Sequence, residues 1–238
     1  MPPARRSEQK LDRPFIVRQA FAVLNDAGLE GLTLRRLASR LGVQAPALYW
    51  HFKSKQDLLD EMAAEVLRRS IVKNAALDTI ENWPEWARAY YNSLRKTLLE
   101  YRDGAKMFSG TYLTDPSLYA PMEASLRRLA DAGFTLRQAV VGLGALYSYT
   151  IGFVIEEQAT ELAPGEANPQ YDLATRDKRI DKKRYPLAAA AGREMFFAHD
   201  ARFTEGIALI VAGMAASNPS ATAASKARAE GSRPRKHR

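Results

Sequence analysis

The sequence contains no cysteine, which excludes both a disulfide framework and a thiolate metal site and suits a reducing cytoplasm. Histidine is scarce, and His51, His199 and His237 are too scattered to suggest a metal cluster or a His–carboxylate pair. No phosphate-cradling glycine loop occurs. Glu156 and Glu157 are neighbours in a helical stretch, so they point apart and make a poor acid/base couple. These absences argue against an enzyme and against any bound metal or cofactor. No run of apolar residues reaches the ~18 that a membrane span needs. The polar, basic start Met1–Lys10 has no apolar segment behind it, so neither a secretory signal nor a membrane partner is expected. Strand-like alternation and internal repeats are missing as well.

Hydrophobic residues make up 46% of the 238, enough for a sizeable core. The net charge of +8 is unevenly placed: residues 1–60 carry +4 and residues 217–238 carry +5, which leaves the middle at −1. A near-neutral body with two basic ends suggests polyanion binding at those ends, although solubility alone can also use such charge.

Helical periodicity runs nearly throughout, so the fold class expected is all-α. Phe15, Val17, Ala20, Phe21, Val23 and Leu24 form a stripe that stops at Gly28. Thr33 opens a short helix to about Arg40, Gly42-Val43 makes a turn, and a second short helix spans about 44–52. Ser54 to Asp57 resembles a capping box for a helix to about Asn74. Further helices are expected over about 84–101, 115–132, 135–160, 187–198 and 200–216, with Thr135 to Gln138 as a second capping box. Residues 161–185 are rich in proline, glycine and charge and are expected to form a loop. The resulting units are a basic flexible arm (1–14), a DNA-binding domain (15–60), a larger helical domain (61–216) and a basic disordered tail (217–238). That tail could touch DNA nonspecifically or be a solvated appendage.

Three helices with a tight turn between the last two make a helix-turn-helix. Phe21, Leu24, Leu37, Leu41, Leu48 and Phe52 would form its core and turn the second short helix outward, towards a major groove. Gln44, Ala45, Ala47, Tyr49, Trp50 and His51 would then form the outward face. Small Ala45 and Ala47 allow close approach to base edges, while Tyr49, His51, Lys53 and Lys55 can meet phosphates. Tyr and Trp on so short a helix can equally be partly buried core.

The segments Thr33-Leu34-Arg35-Arg36-Leu37-Ala38, Leu41-Gly42-Val43 and Pro46-Ala47-Leu48-Tyr49-Trp50-His51-Phe52-Lys53-Ser54-Lys55 resemble the TetR family. Leu48 to His51 matches the variant carried by the member that gives the family its name. Arg102-Asp103-Gly104-Ala105, Ala132-Gly133-Phe134 and Ile151-Gly152 extend the likeness more thinly to about residue 215. The resemblance implies a homodimer that grips palindromic double-stranded operator DNA and is released by a small-molecule effector. It further implies that Arg35 reads a base edge and Pro46 touches pyrimidines. Thr33, Tyr49, Trp50, His51 and Lys55 would hold the backbone. Ala45 and Ala47 replace polar readers, so Gln44 is the expected substitute and the operator should differ.

For the larger domain the resemblance implies dimerisation through the helices at 136–155 and 203–216, and a rigid swing of the 54–74 helix when residues 102–112 rearrange. The effector residues implied are Tyr90, Leu94, Phe108, Thr111, Tyr112, Leu113 and Ser125, with Glu156 from either subunit; plain core is the competing reading of the apolar ones. The histidines that hold magnesium–tetracycline in the family's founding member have Ile71 and Phe108 as their counterparts. Hydrocarbon cannot coordinate magnesium, so a bulky, largely apolar, metal-free effector anchored by tyrosine hydroxyls is expected instead. A DNA-binding regulator or architectural protein without an inducer remains the alternative.

Overall fold

The computed structural model describes residues 11–112, 115–163 and 165–218. Residues 1–10 of the expected arm and 219–238 of the expected tail therefore fall outside the description.

The N-terminal unit consists of α1 (Arg13–Gly31), α2 (Leu34–Leu41), α3 (Ala45–Tyr49) and the start of α4 (Lys55–Lys73). Helix α1 begins within the stretch assigned to the arm, because the Asp12 carboxylate accepts the Phe15 N–H (2.9 Å) and Pro14 occupies the first turn. Its regular part stops at Gly28, whose φ of 70° breaks the ladder before one more turn to Gly31. The Thr33 hydroxyl accepts the Arg36 N–H (3.1 Å) and so starts α2. Helix α3 has only five residues, shorter than expected. The chain leaves it early because Ser54 must cap α4: its hydroxyl accepts the Asp57 N–H (3.1 Å), and the Asp57 carboxylate accepts the Lys53 N–H (2.9 Å). Phe21, Leu24, Leu37, Leu48 and Phe52 are buried together, with Leu41 at their edge.

The larger unit continues through α5 (Trp83–Leu99), α6 (Gly104–Phe108), α7 (Tyr119–Asp131), α8 (Leu136–Ala159), α9 (Leu173–Asp177), α10 (Pro186–Phe196) and α11 (His199–Ser217). Thr135 and Gln138 form the capping box that opens α8. By length and composition α8 is apolar enough to cross a membrane, although no uninterrupted apolar run occurs. Here it lies against α5, α7 and α11, burying Leu146, Thr150, Ile151 and Val154. Residues 115–132 open with a 3-10 turn (Pro116–Leu118) before α7.

The expected 161–185 loop, and with it the expectation of no strands, needs correction. Glu161–Ala163 and Glu166–Ala167 pair as a small antiparallel hairpin, followed by a 3-10 turn (Pro169–Tyr171) and α9. The polar residues that looked like loop composition are capping groups. The Asn168 amide donates to the Ala159 carbonyl (2.9 Å), and the Asp172 carboxylate accepts the Thr175 N–H (2.8 Å).

Candidate nucleic-acid interface and internal cavity

Leu48 faces the core from α3 with Ala45 packed at its edge, so Pro46 and Tyr49 face outward. Trp50 is 90% exposed and Tyr49 54%, which settles their position against the buried-core reading. Gln44 and Pro46 are exposed beside them, and Ala45, Ala47 and His51 are half-buried. Thr33, Arg35 and Arg36 are exposed at the start of α2, and Lys53 is exposed beyond α3. An apolar indole left in water is costly unless a partner covers it. Lys55 is different: its ammonium donates to the Leu29 carbonyl (2.8 Å), so it fastens α4 to the end of α1.

Arg13, absent from the expected site, braces this surface from behind. Its guanidinium donates to the His51 carbonyl, lies 4.3 Å from the centre of the Phe52 ring and pairs with Asp57 and Glu61 (3.3 and 3.0 Å). The ladder continues along α4, where Arg68 pairs with Glu61, Glu65 and Asp115. Arg69 also pairs with Glu65 and donates to the Tyr101 hydroxyl (3.2 Å). Glu61 sits where burial alone would raise its carboxyl, yet Arg68 and Arg13 hold it below the ordinary carboxylate range.

In the body, α4, α5, α7 and α8 enclose a cavity of about 420 Å³. Tyr90, Leu94, Phe108 and Ser125 line it, as do Ile71 and, beyond the expected set, Leu67, Trp86, Tyr119, Met122 and Tyr147. The added residues follow helical spacing from expected ones: Trp86 precedes Tyr90 by four residues and Leu67 precedes Ile71 by four. Trp86 stacks on Tyr90 with ring centres 5.4 Å apart. The Tyr91 hydroxyl donates to the Leu143 carbonyl (3.1 Å). Burial raises the hydroxyls of Tyr90 and Tyr147, and nearby Asp78 adds to the effect at Tyr90, so both stay protonated as donors.

Other expected residues lie elsewhere. The Thr111 hydroxyl donates to the Phe108 carbonyl (2.7 Å), outside the lining. The Tyr112 ring is 76% exposed, while its N–H donates to Asp60 (2.9 Å). Leu113 falls outside the described residues. Glu156 is exposed and borders a separate cleft beside Tyr149 and Phe196. Its neighbour Glu157 borders the same cleft, where it pairs with buried Arg95 (2.5 Å) and lies 3.9 Å from His199; Arg95 also reaches Asp200 (2.6 Å).

The turn between α5 and α6 touches both units. Asp103 accepts the Leu29 N–H (2.9 Å) at the end of α1, and the Arg102 N–H donates to Asn25 (3.1 Å). A Cβ at Gly28 would lie 2.8 Å from that Asp103 carboxylate, and one at Gly104 would lie 2.1 Å from the Leu98 carbonyl. Both glycines permit the approach. From the far side Gln158 of α8 donates to the Tyr101 carbonyl (2.7 Å) and accepts the Ala105 N–H (3.2 Å). The turn thus connects the cavity walls α6 and α8 to the helix-turn-helix.

Comparison with known proteins accords with this layout. Residues 16–62 match the family described as bacterial regulatory proteins, tetR family, and residues 78–217 match the tetracyclin repressor-like C-terminal domain. The chain is 40% identical over 205 residues to the tetracycline repressor protein class C of Escherichia coli, covering 86% of this chain and 91% of that one. A possible TetR family transcriptional regulator from Streptomyces coelicolor aligns with a TM-score of 0.74 at 34% identity, over 87% of this chain and all (100%) of the other. A TetR variant from Acinetobacter baumannii in complex with minocycline aligns with a TM-score of 0.61 at 30% identity, over 86% and 96%.

Proposed function

The chain belongs to the TetR family of transcriptional regulators, and on that premise we propose that it is a cytoplasmic repressor, without catalytic activity or cofactor, that binds a palindromic operator as a homodimer and leaves it when a largely apolar effector fills the α4–α8 cavity. The exposed Tyr49–Trp50 pair, held outward by buried Leu48 beside Arg35 and Arg36, carries the DNA-binding half of this reading. Arg35 would fork onto a guanine edge, with Gln44, Ala45, Pro46 and Ala47 closest to the bases. Thr33, Tyr49, Trp50, His51 and Lys53 would meet the backbone, while Lys55 holds α4 in place behind them.

Dimerisation is supported by the outward faces of α8 and α11, which leave Val140, Val141 and Leu209 more than half exposed. Packing those faces across a twofold axis would set two copies of α3 about one turn of DNA, ~34 Å, apart. Effector response is supported by the cavity and by the Asp103 bridge to α1. A ligand that favours one placement of α4 and α6 over another shifts the population that fits both half-sites.

Magnesium–tetracycline is a poor fit here, because Ile71 and Phe108 in the lining offer no lone pair to a metal-bound drug. Titration of labelled DNA from upstream of the protein's own coding region, at low ionic strength, tests the proposal. Tight binding is expected, with a loss of roughly ten-fold or more in Arg35→Ala and no release by saturating magnesium–tetracycline. Failure to bind that DNA, or undiminished binding by the combined Arg35→Ala and Tyr49→Ala variant, would overturn it.

A further inference from the structure

Among the described residues lining the cavity, Asp115 alone carries a full charge at neutral pH. The Ser117 hydroxyl and N–H hold its carboxyl below the ordinary range, with Arg68 adding to the effect. Its side chain keeps 25% of its exposure. The rest of the lining is aromatic and aliphatic, including the rings of Trp86, Tyr90, Phe108, Tyr119 and Tyr147. Burial keeps the hydroxyls of Tyr90 and Tyr147 neutral, so these walls bring no charge of their own.

Behind Asp115 the ionic ladder is unbalanced. Four carboxylates, Asp57, Glu61, Glu65 and Asp115, share three guanidiniums, Arg13, Arg68 and Arg69. Arg68 alone is divided among Glu61, Glu65 and Asp115, so Asp115 has no guanidinium to itself and can be met from the cavity. Arg68 would keep Glu61 and Glu65 if Asp115 turned towards a ligand, so such an exchange strands no guanidinium.

Resting on the reading of this cavity as the effector site, we infer that the effector is an aromatic cation: its rings lie among the aromatic walls and its ammonium pairs with Asp115. Faces of Trp and Tyr attract a cation as well as apolar surface, and a partly exposed carboxylate at the rim fixes which end of the ligand enters last. The same exchange loosens the tie between α4 and the 115–118 turn, placing charge recognition on the helix that carries the DNA-reading unit.

Two near-isosteric dyes test this without DNA present: 9-aminoacridine, a cation at pH 8, and acridine, neutral at that pH. Calorimetric titration should show the cation binding roughly ten-fold tighter or more. Asp115→Asn keeps the cap on Ser117 and should abolish that preference while leaving acridine unchanged, and Asp115→Glu should restore part of it. Ile71→Trp, which fills the cavity from a partly exposed position, should weaken both dyes. Equal binding of the two dyes, or a preference that survives Asp115→Asn, overturns the charge assignment and leaves the cavity reading standing. Binding of neither dye, or dye binding unaffected by Ile71→Trp, overturns the assignment of this cavity as the ligand's place.

Discussion

Leu48 and Leu94 are both almost wholly shielded from water, at 0% and 3% exposure, but they are surrounded by different things. Leu48 is packed by the buried core of the helix-turn-helix, and its job is to turn Tyr49 and Trp50 outward. Leu94 is packed in the same core but also lines a cavity of about 420 Å³. One end of the molecule sets its buried residues beneath an exposed face, whereas the other uses some of them to line a cavity. The presence of a cavity therefore separates the two regions more clearly than hydrophobicity does.

The comparison is broken most severely by alanine at each leucine. Truncating a buried leucine costs ~2–5 kcal/mol, more where the surroundings cannot collapse. Leu48→Ala should fall at the upper end, with a lowered Tm and lost DNA affinity even below the new Tm, because the outward set of α3 goes with it. Leu94→Ala should fall at the lower end and leave DNA binding nearly intact, since it only widens an existing cavity. Thermal melts and DNA titrations of both variants check this; equal losses would remove the distinction.

A smaller effect is expected where the two regions meet. Asp103 adopts φ of 52°, in the left-handed region, and its carboxylate accepts the Leu29 N–H. Asp103→Ala loses both the acceptor and the tolerance for that conformation, a destabilisation of ~1–3 kcal/mol. Asp103→Asn keeps a side-chain oxygen and tolerates the left-handed region, so it should lie much closer to the parent. The Ala variant should still bind DNA but respond less to effector, read as the effector concentration for half release. An unchanged response would show that the units communicate by another route.

The two regions also differ in how much their sequence discloses. Around α2, α3 and α4 each structural decision is local: Thr33 and Ser54 cap helices within three residues, and Leu48 takes its side from spacing alone. The outward face of α3 could be read for that reason, and its aromatic pair needed only burial to be decided. The cavity is made of three or four residues from each of α4, α5, α7 and α8, with Phe108 from α6. Tyr90 and Leu94 could be paired by periodicity, but Tyr119 and Tyr147 meet them only through tertiary packing. Arg13 and Asp115 were missed for the same cause, since their partners lie 48 and 47 residues away along the chain. The 161–185 segment was misread because capping residues and loop residues share a composition, and only their hydrogen bonds tell them apart.

Acid should sharpen the comparison most gently. Glu61 in the folded protein holds its proton less tightly than an ordinary glutamate, because Arg68 and Arg13 outweigh its burial. Its contribution to stability is therefore complete above the ordinary glutamate value of about 4.3 and is lost as pH falls through the lower folded value. Asp115, held down by Ser117 and Arg68, follows the same direction. The cavity's Tyr90 and Tyr147 are shifted upward and gain no charge anywhere in the acid range. Lowering pH from about 6 to 3 should thus loosen the ladder that braces α1 and α4 while leaving the tyrosine walls untitrated. Glu61→Gln should lower Tm near pH 7, and its difference from the parent should shrink steadily towards pH 3. A difference that stays constant over that range would mean that the Arg13–Glu61–Arg68 pairs add nothing that acid can remove, and that α4 is held to the N-terminal unit by its buried apolar face and the Lys55–Leu29 hydrogen bond.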